Sequence, residues 1–515
     1  MDNTTHTDHE VLGPFGAPVP AREEQAQLRS DELNLFDATA VAVSSVAPAY
    51  SLASTLAYVF IALGVSAVFG PSVIVVSFIP VLFVAIAYFH LNRRDPDCGA
   101  SYAWLSKVVH PFVGWFNGWV QVATSAIFCI SASILAGQYT LQLFNSLGWI
   151  NSDTASSVWY TSLIGIGWLV LITSMCVYGI RWTTNFQWIL VIIEYSVVIL
   201  FSLWGIGKAV FTHPAGSTGF HLSWLNPFEV TSWSALAAGI ALGVFFFWGW
   251  DTAVNLNEET KNRTHTPGHA GILAMFLLLV VFLINFISVE MLIPQKVIEE
   301  QGSNILFYYA EHIFGTWAGY VMIFAVITST VATTQTTLLP ASRITLSMAR
   351  DKVFPHVFAR IHPKFKTPAV GIITLGCFTT VGIIMNSGSP SVNSIIGRLI
   401  LDIGVLVAFY YGMTGIACGW AYRKVAFKKV SFFFTGVLLP FVSGLFLLYV
   451  CYQVIVSNGW GEAIPILVTL GLGIPLAIVA RFTTKGDFFK VKPIAYDSIE
   501  EPEPTEDPQQ VAATV

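Results

Sequence analysis

Between Ile272 and Ile287 the chain reads ILAMFLLLVVFLINFI, sixteen residues with Asn285 as the only polar side chain. Backbone that crosses hydrocarbon must satisfy every N–H and C=O internally, which leaves helices and closed barrels. Barrel strands alternate apolar and polar residues over about ten positions, and this run does not alternate, so it predicts a membrane helix. About 20 apolar residues cross the hydrocarbon as a helix. That length slid along the chain finds twelve candidate spans, at 38–62, 72–90, 112–140, 158–180, 186–207, 233–255, 270–293, 317–345, 369–386, 394–421, 432–454 and 463–481. Composition agrees, because 55% of the 515 residues are hydrophobic, only 11% are charged and the mean hydropathy is +0.67. A soluble chain of this length would need several cores with charged surfaces between them. The expectation is an all-α integral membrane protein in which residues 34–482 form one twelve-helix domain.

Lys and Arg concentrate in loops on the cytoplasmic side. With the N-terminus placed inside, the cytoplasmic segments hold Arg93, Arg94, Lys107, Arg181, Lys261, Arg263, Arg343, Arg350, Lys352, Arg360, Lys364, Lys366, Arg423, Lys424, Lys428 and Lys429. The tails bring the total to 22 of 25 basic residues, against Lys208 and Lys296 in the outer loops and Arg398 within a span. An odd span count or the opposite orientation destroys that asymmetry. Both termini are therefore expected in the cytoplasm, with a multi-pass chain in the plasma membrane. Residues 1–33 show no apolar core or cleavage site, so no signal peptide is expected to be removed from this cytoplasmic tail. The C-terminal segment 483–515 is acidic and contains proline, and reads as a disordered cytoplasmic tail.

Several functions are excluded or disfavoured. Cys129, Cys176, Cys377, Cys418 and Cys451 fall within spans and Cys98 in a cytoplasmic loop, a distribution that suits apolar packing of the five in the spans. A net charge of −5 implies no nucleic-acid partner. The eleven histidines all fall in tails, loops or helix ends, and no HExxH, Cys/His cluster or Gly-rich phosphate loop is present. Neither metal nor cofactor is expected, and a membrane-embedded enzyme is disfavoured, with an Asp-based one still open. Without a soluble nucleotide domain, an ATP-driven pump is disfavoured too. Secondary transport or a channel remains, with the bilayer and a small molecule as the partners.

One run has an ionisable residue where a span should be apolar. Phe245 to Thr260 reads FFFWGWDTAVNLNEET. A carboxylate at mid-membrane costs about 2.5–3.5 kcal/mol on insertion scales, so such residues usually face a cavity or a partner. Gly249, two residues before Asp251, can adopt backbone angles closed to other residues, and unwound backbone at membrane depth is tolerated where it lines a cavity. The alternative is that the span ends at Trp250 and Asp251 caps a cytoplasmic helix. The first span is interrupted as well: Val41 to Thr55 reads VAVSSVAPAYSLAST, with Pro48 removing a backbone donor among Ser44, Ser45, Ser51 and Ser54. A proline-kinked packing helix is the alternative there. Transporters built from two inverted halves bind substrate at two such corresponding breaks near the midplane. With the breaks in spans one and six, the halves would be 1–5 and 6–10, a 5+5 inverted repeat with two extra helices.

The residues also carry a family resemblance. FFFWGWDTAVNLNEETKNRTHTPGHAGI resembles the sixth-helix signature of the amino acid, polyamine and organocation superfamily, and Ala341 to Val370, ASRITLSMARDKVFPHVFARIHPKFKTPAV, is similar to its pattern after the eighth helix. LNLFDATAVAVS, DPDCGASYAWLSKVVHPFVGWFNGW and LDIGVLVAFYYG fit as well, and the likeness covers about residues 33–480 in order. It implies an amino acid permease with the leucine-transporter fold, alternating access, and an amino acid or amine as substrate. Carried over by position, the unwound segments are Val46 to Tyr50 and Phe247 to Asp251. The implied substrate site comprises Ser45, Val46, Ala47, Ala49, Tyr50, Phe247, Trp248, Gly249, Trp250 and Asp251, with Trp248 or Trp250 gating or stacking on the ligand.

This chain departs from that pattern in two places. Ala47, Pro48 and Ala49 stand where many members have Gly-Ser-Gly, so Pro48 withdraws an amide from any substrate carboxylate. Glu194 stands where proton-coupled relatives often carry Lys. It is open as a proton carrier, as an anchor for a second amine on a cationic substrate, or as a protonated acid hydrogen-bonded to a neighbouring helix. Arg398 and Asp402, four apart on one helix face, read as a neutralising structural pair or as gating residues. Glu258 and Glu259 read as inner-gate or structural charges within reach of Lys261, Arg343 or Arg350, and Glu290 as a solvated group near an outer helix end. The expected function is a secondary active permease or exchanger of amino acids or related amines, proton-coupled, with a polyamine carrier using Asp251 and Glu194 as two anchors as the alternative.

Overall fold

The computed structural model describes residues 31–498 apart from positions 179, 215, 458 and 485. Arg181 and the outer parts of both tails, 1–30 and 499–515, lie outside the side chains and residues described. The sixteen helices used below are α1 (Leu35–Val46), α2 (Pro48–Leu63), α3 (Gly70–Arg94), α4 (Ser101–Val108), α5 (Pro111–Ser146), α6 (Val158–Tyr178), α7 (Ile180–Thr212), α8 (Trp233–Phe246), α9 (Thr252–Asn255), α10 (Thr266–Leu292), α11 (Ile305–Phe314), α12 (Thr316–Arg350), α13 (Ala369–Asn386), α14 (Val392–Ala421), α15 (Leu439–Ser457) and α16 (Gly459–Thr483). Among the described residues the only bridge between extended segments joins Leu33 to Thr260.

Among the described residues, ten helical runs are long and apolar enough to cross a membrane. The first, Leu35–Arg94, is 60 residues long, about 90 Å at 1.5 Å per residue and roughly three hydrocarbon thicknesses. It is interrupted at Ala47 (φ 49°) and Gly64 (φ 54°). The sixth expected span is split: α8 has 14 residues, about 21 Å and too short to cross alone, and α9 follows after a turn.

The broken pairs α1/α2 and α8/α9 occupy the middle of the bundle. α1 packs on α7, α10 and α12, α2 on α8, α9 on α10 and α12, and α14 on α5, α8 and α15. Where α14 meets α15 the backbones touch, because a Cβ on Gly444 would lie 2.5 Å from the Gly412 carbonyl oxygen. Small residues permit such approach where lipid supplies no hydrophobic drive between helices. The outer helices present apolar side chains outward, with Leu163, Val170, Phe378, Val381, Leu472 and Val479 all exposed, the pattern of a lipid-facing surface. Cys377 belongs to that exposed surface, whereas Cys98, Cys129, Cys176, Cys418 and Cys451 are buried. This corrects the packing role expected of Cys377.

The C-terminal segment corrects another expectation. Up to residue 498 it is docked on the end of the bundle that carries the basic loops. Phe488 stacks on Tyr102 at 6.1 Å, the Ile494 N–H donates to the Lys107 carbonyl at 3.0 Å, and the Tyr496 N–H donates to the Ala421 carbonyl at 2.9 Å. Arg94 stands 3.7 Å from Asp497, and the Tyr496 side chain is buried. Acidic, proline-containing composition argued for disorder, but two aromatic anchors and the basic face supply burial and charge that composition alone does not reveal.

Candidate functional site

The first break follows from Pro48. Its ring removes the N–H that would continue the ladder, and it begins α2 at the position where a missing donor costs nothing. Ala47 takes left-handed angles (φ 49°, ψ 77°), which cost a residue with a Cβ roughly 1–2 kcal/mol. Neighbouring side chains satisfy the carbonyls released there. Thr333 Oγ1 donates to the Ser45 carbonyl at 2.5 Å, Ser51 Oγ to Val46 at 2.7 Å and Tyr195 Oη to Val43 at 3.3 Å. The break is narrower than the expected Val46 to Tyr50, since Pro48, Ala49 and Tyr50 are already helical and only Ala47 leaves the helix.

The second break runs from Phe247 to Asp251 as a turn between α8 and α9. Gly249 has φ +117°, and a Cβ there would lie 2.9 Å from the Ser45 carbonyl carbon and 3.0 Å from its oxygen. Both conformation and space demand glycine. Ser45 Oγ and Thr252 Oγ1 lie 2.8 Å apart, tying the end of α1 to the start of α9.

Between the breaks lies a cavity of about 20 Å³, bordered by Ser45, Gln121, Ser125, Trp248, Gly249, Asp251, Thr252, Asn255, Thr337, Pro340, Ile344 and Tyr410. That is space for about one water, so the walls are closed on one another. Asp251 is 5% exposed, and its Oδ2 accepts from Tyr410 Oη at 3.2 Å. The same hydroxyl accepts a very short hydrogen bond from Trp248 Nε1, so indole, phenol and carboxylate form one chain across α14 and the turn. Among the described residues, no lysine or arginine borders this cavity.

Of the residues expected there, Ser45, Trp248, Gly249 and Asp251 border the cavity. The others point elsewhere. Trp250 packs between Tyr88 and Tyr411 at 5.0 and 5.6 Å, and Phe247 against Phe78 and Phe282 at 5.6 and 5.7 Å. Val46 and Ala47 are buried, and Tyr50 Oη meets Ser131 Oγ at 2.9 Å. Gln121 and Ser125, four apart on α5, and Tyr410 were missed. Gln121 and Ser125 share one helix face, but α5 also carries Asn117, Thr124, Ser131 and Ser133, so no sequence signal singled out the pair. Tyr410 lay within LDIGVLVAFYYG, where nothing distinguishes it from Tyr411.

Glu194, on α7, is fully buried. Its Oε1 accepts from the Ala49 N–H at 2.9 Å and from Ser329 Oγ at 2.6 Å, and Ser329 Oγ in turn accepts from the Tyr50 N–H at 2.9 Å. The carboxyl thus caps α2 at the break. The expected Arg398–Asp402 pairing does not form: the Arg398 side chain is exposed and its Nη2 donates to Asn386 Oδ1 at 2.7 Å, while Asp402 is buried. Arginine at a helix end extends its head toward the polar side, and here that takes it away from its neighbour one turn on. Glu290 is another correction, because both its carboxyl oxygens are buried with no hydrogen-bond partner among the described residues.

On the basic-loop side a network of ion pairs and hydrogen bonds joins the segment after α9 to α12 and to the end of α3. Arg343 and Glu259, 1% and 2% exposed, pair at 2.5 Å, and Arg343 Nη1 also donates to the Leu339 carbonyl at 3.1 Å. Arg350 Nη1 meets Glu258 Oε1 at 3.1 Å, and Asn257 Nδ2 reaches Asn92 Oδ1 at 2.8 Å. The N-terminal strand joins in, with the Leu33 N–H donating to the Glu259 carbonyl at 3.0 Å and the Lys261 N–H to the Leu33 carbonyl at 2.8 Å. Lys261 thus contributes backbone here. Burial pushes the Glu258 carboxyl up, but Arg350 outweighs it and holds it below the ordinary glutamate range. Burial raises Asp97 against the pull of Lys107. Asp97, Cys98 and Glu258 bring ligand-type atoms within 4.8 Å of one another. Arg350 Nη1 already stands 3.7 Å from Cys98 Sγ and 3.1 Å from Glu258, so a guanidinium holds the place a cation would take.

A bundle of apolar helices with two central breaks and a buried carboxylate between them defines a multi-pass membrane transport protein. The sequence matches the model of the amino acid permease family over residues 33–474, and the chain belongs to that family. It is a permease, not an enzyme. Similar proteins include the low-affinity putrescine importer PlaP of Escherichia coli, 24% identical over 386 residues covering 73% of this chain and 78% of the relative. The branched-chain amino acid permease BcaP of Bacillus subtilis is 24% identical over 467 residues, 86% of this chain and 91% of the relative. The vacuolar cationic amino acid transporter 4 of Arabidopsis thaliana is 24% identical over 370 residues, 67% and 59% of the two chains.

Proposed function

We propose that this permease is a secondary active transporter of amino acids or related amines, working by alternating access in the plasma membrane with protons as the coupling ion. The carrying observation is Asp251, a buried carboxylate at the junction of two broken helices, hydrogen-bonded to Tyr410. Carboxylates at that depth serve as anchors for cations or as proton carriers. In this reading the substrate sits between Ser45 and Asp251, Trp248 and Tyr410 wall it in, and the Arg343–Glu259 closure opens when the site turns to the basic-loop side. Twelve spans with both termini in the cytoplasm fit this scheme, with Leu35–Arg94 counted as two and α8 plus α9 as the split sixth. The breaks then fall in equivalent spans of two five-helix halves, as inverted-repeat transporters require.

A second reading, an organic-amine or polyamine carrier, is favoured by the cavity border, which holds an acid and no base, and a putrescine importer is among the relatives. Counterflow in proteoliposomes, with and without a pH gradient, tests the function. Labelled putrescine, arginine and leucine should divide into exchanged and ignored substrates, and imposing the gradient should raise accumulation. Full counterflow by Asp251→Ala would overturn the assignment of the site.

A further inference from the structure

The amino end of a half-helix at membrane depth is an anion site: its first amides have no partner within the helix and the helix dipole favours negative charge there. A substrate carboxylate is what such half-helices receive in broken-helix transporters. In this chain every donor from Ala47 to Ser51 is taken. The Ala47 N–H donates to the Val43 carbonyl, Pro48 has no N–H, and the Ser51 N–H donates to the Ala47 carbonyl. The two remaining amides face inside partners: Ala49 donates to Glu194 Oε1 and Tyr50 to Ser329 Oγ, which itself donates to Glu194 Oε1. A carboxyl belonging to the protein stands where a substrate carboxylate would be held. Glu194 is fully buried, carried on α7, and locked to both α2 and α12, so it does not withdraw by a simple side-chain rotation.

The remainder of the site adds a second observation. A carboxylate entering the Asp251 cavity would meet Asp251 and, among the described residues, no lysine or arginine at its border, and the buried cation on α12, Arg343, is engaged by Glu259. Uncompensated like charges in a desolvated pocket are strongly unfavourable. An ammonium, by contrast, finds Asp251 and the polar side chains of Gln121, Ser125 and Asn255.

We propose that the Glu194 carboxyl occupies the amino end of α2 in place of a substrate carboxylate, so that this permease selects amines that lack a carboxylate and rejects their carboxylated counterparts. The inference rests on the reading of the Asp251 cavity as the transport site. It assigns Glu194 as a specificity-determining residue that need not touch the ligand.

The test uses matched pairs that differ only in the α-carboxylate: putrescine and ornithine, cadaverine and lysine, agmatine and arginine, tyramine and tyrosine. Binding to the purified full-length protein is read by thermal shift and by tryptophan fluorescence, and transport by counterflow. The amine of at least one pair should bind at least about ten-fold tighter than its amino acid, the discrimination expected from one charge-assisted contact. Glu194→Ala, which frees the Ala49 N–H, should narrow that ratio, whereas Glu194→Gln, which keeps an acceptor oxygen in place, should preserve most of it. An amino acid that binds as tightly as its amine, in wild type, overturns the inference while leaving the transport site intact. Failure of every probe to bind overturns the site reading and this inference together. Because the wild-type pairs decide the question, it does not depend on the variants folding.

Discussion

Gly249 lies against Ser45 so closely that a methyl group on its α-carbon would stand 2.9 Å from the Ser45 carbonyl carbon. The two broken segments therefore meet backbone to backbone, which fixes the spacing of the cavity between them. With φ +117° Gly249 also occupies a region that side chains oppose. Gly249→Ala should combine roughly 1–2 kcal/mol of backbone strain with an overpacking cost of about 1–3 kcal/mol, and should abolish uptake. Gly167→Ala is the control, since nothing lies within 4 Å of its added Cβ. Melting temperature in detergent and initial uptake rate are the measurements. Normal uptake by Gly249→Ala would show that the contact is not needed.

Tyr410 separates the roles of two neighbouring tryptophans. Its hydroxyl bridges Trp248 to Asp251, whereas Trp250 is enclosed by Tyr88 and Tyr411 with its Nε1 unpartnered among the described residues. Tyr410→Phe should raise the apparent KM about ten-fold or more, since a hydrogen bond to a charged group is worth about 1.5–3 kcal/mol, and should lower stability by about 1–3 kcal/mol because the Trp248 indole loses its acceptor. Trp250→Ala should lower stability by about 3–5 kcal/mol before any effect on affinity. Equal effects of the two substitutions on KM would remove the distinction.

How much of this was legible depended on whether the cause was local. Lipid imposes helices on runs such as Ile272 to Ile287, so the membrane class and the family follow from sequence, and Pro48 and Gly249 announce breaks because their constraints lie in their own backbones. The width of the first break was not legible. Proline pre-sets the angles of a new helix, so Pro48 restarts helix immediately, and α2 resumes one residue after Ala47. Nor were the cavity's other walls: Gln121, Thr337 and Tyr410 come from three helices far apart in sequence, and only packing brings them together. Glu194 was recognisable as a costly buried charge, but its partners Ala49 and Ser329 are 145 and 135 residues away. Arg398 and Asp402 show the opposite error, since helical spacing permits a pair without requiring one.

The docked C-terminal segment should contribute to stability. Tyr496 is buried, packs on Tyr422 at 5.0 Å and receives Arg94 over its ring at 5.4 Å. Tyr496→Ala should cost about 3–5 kcal/mol, the range for truncating a buried aromatic, and should expose the segment to protease. Limited trypsinolysis of inside-out vesicles reads this as faster cleavage after Lys490 and Lys492. Unchanged cleavage kinetics would mean that the tail is not held by this residue.

The Glu258–Arg350 pair carries a pH signature. Because the Glu258 carboxyl is held below its ordinary range, its contribution is fully present above the unfolded value of about 4.3 and is lost as pH falls through the lower folded value. Between pH 8 and 5 the pair is constant. Glu258→Gln should therefore lower stability by about 1 kcal/mol or less at pH 7, given the partial exposure of both partners, and the gap to wild type should close only below about pH 4.3. Thermal unfolding of both proteins across that range is the measurement, and a gap that closes near pH 6 would point to a different group.

Arg343 and Glu259 form the deepest part of the closure, and removing one partner should cost more than the pair is worth. Arg343→Ala leaves the Glu259 carboxylate buried without its guanidinium, a loss of about 3–5 kcal/mol, whereas replacing both by apolar residues of similar volume is often near neutral. If the closure holds the cavity shut toward the basic-loop side, Arg343→Met with Glu259→Leu should recover stability while Arg343→Ala alone exposes the cavity. A reporter cysteine at Ser125, on the cavity border, reads this as reaction with a membrane-impermeant thiol reagent in inside-out vesicles, with the exposed Cys377 first changed to serine. Labelling should rise several-fold in Arg343→Ala and stay near the wild-type rate in the apolar pair. Equal, slow labelling of Arg343→Ala and wild type would place the barrier elsewhere, in the Asn257–Asn92 contact or the Leu33–Thr260 bridge, and would leave Arg343 as a packing residue rather than a gate.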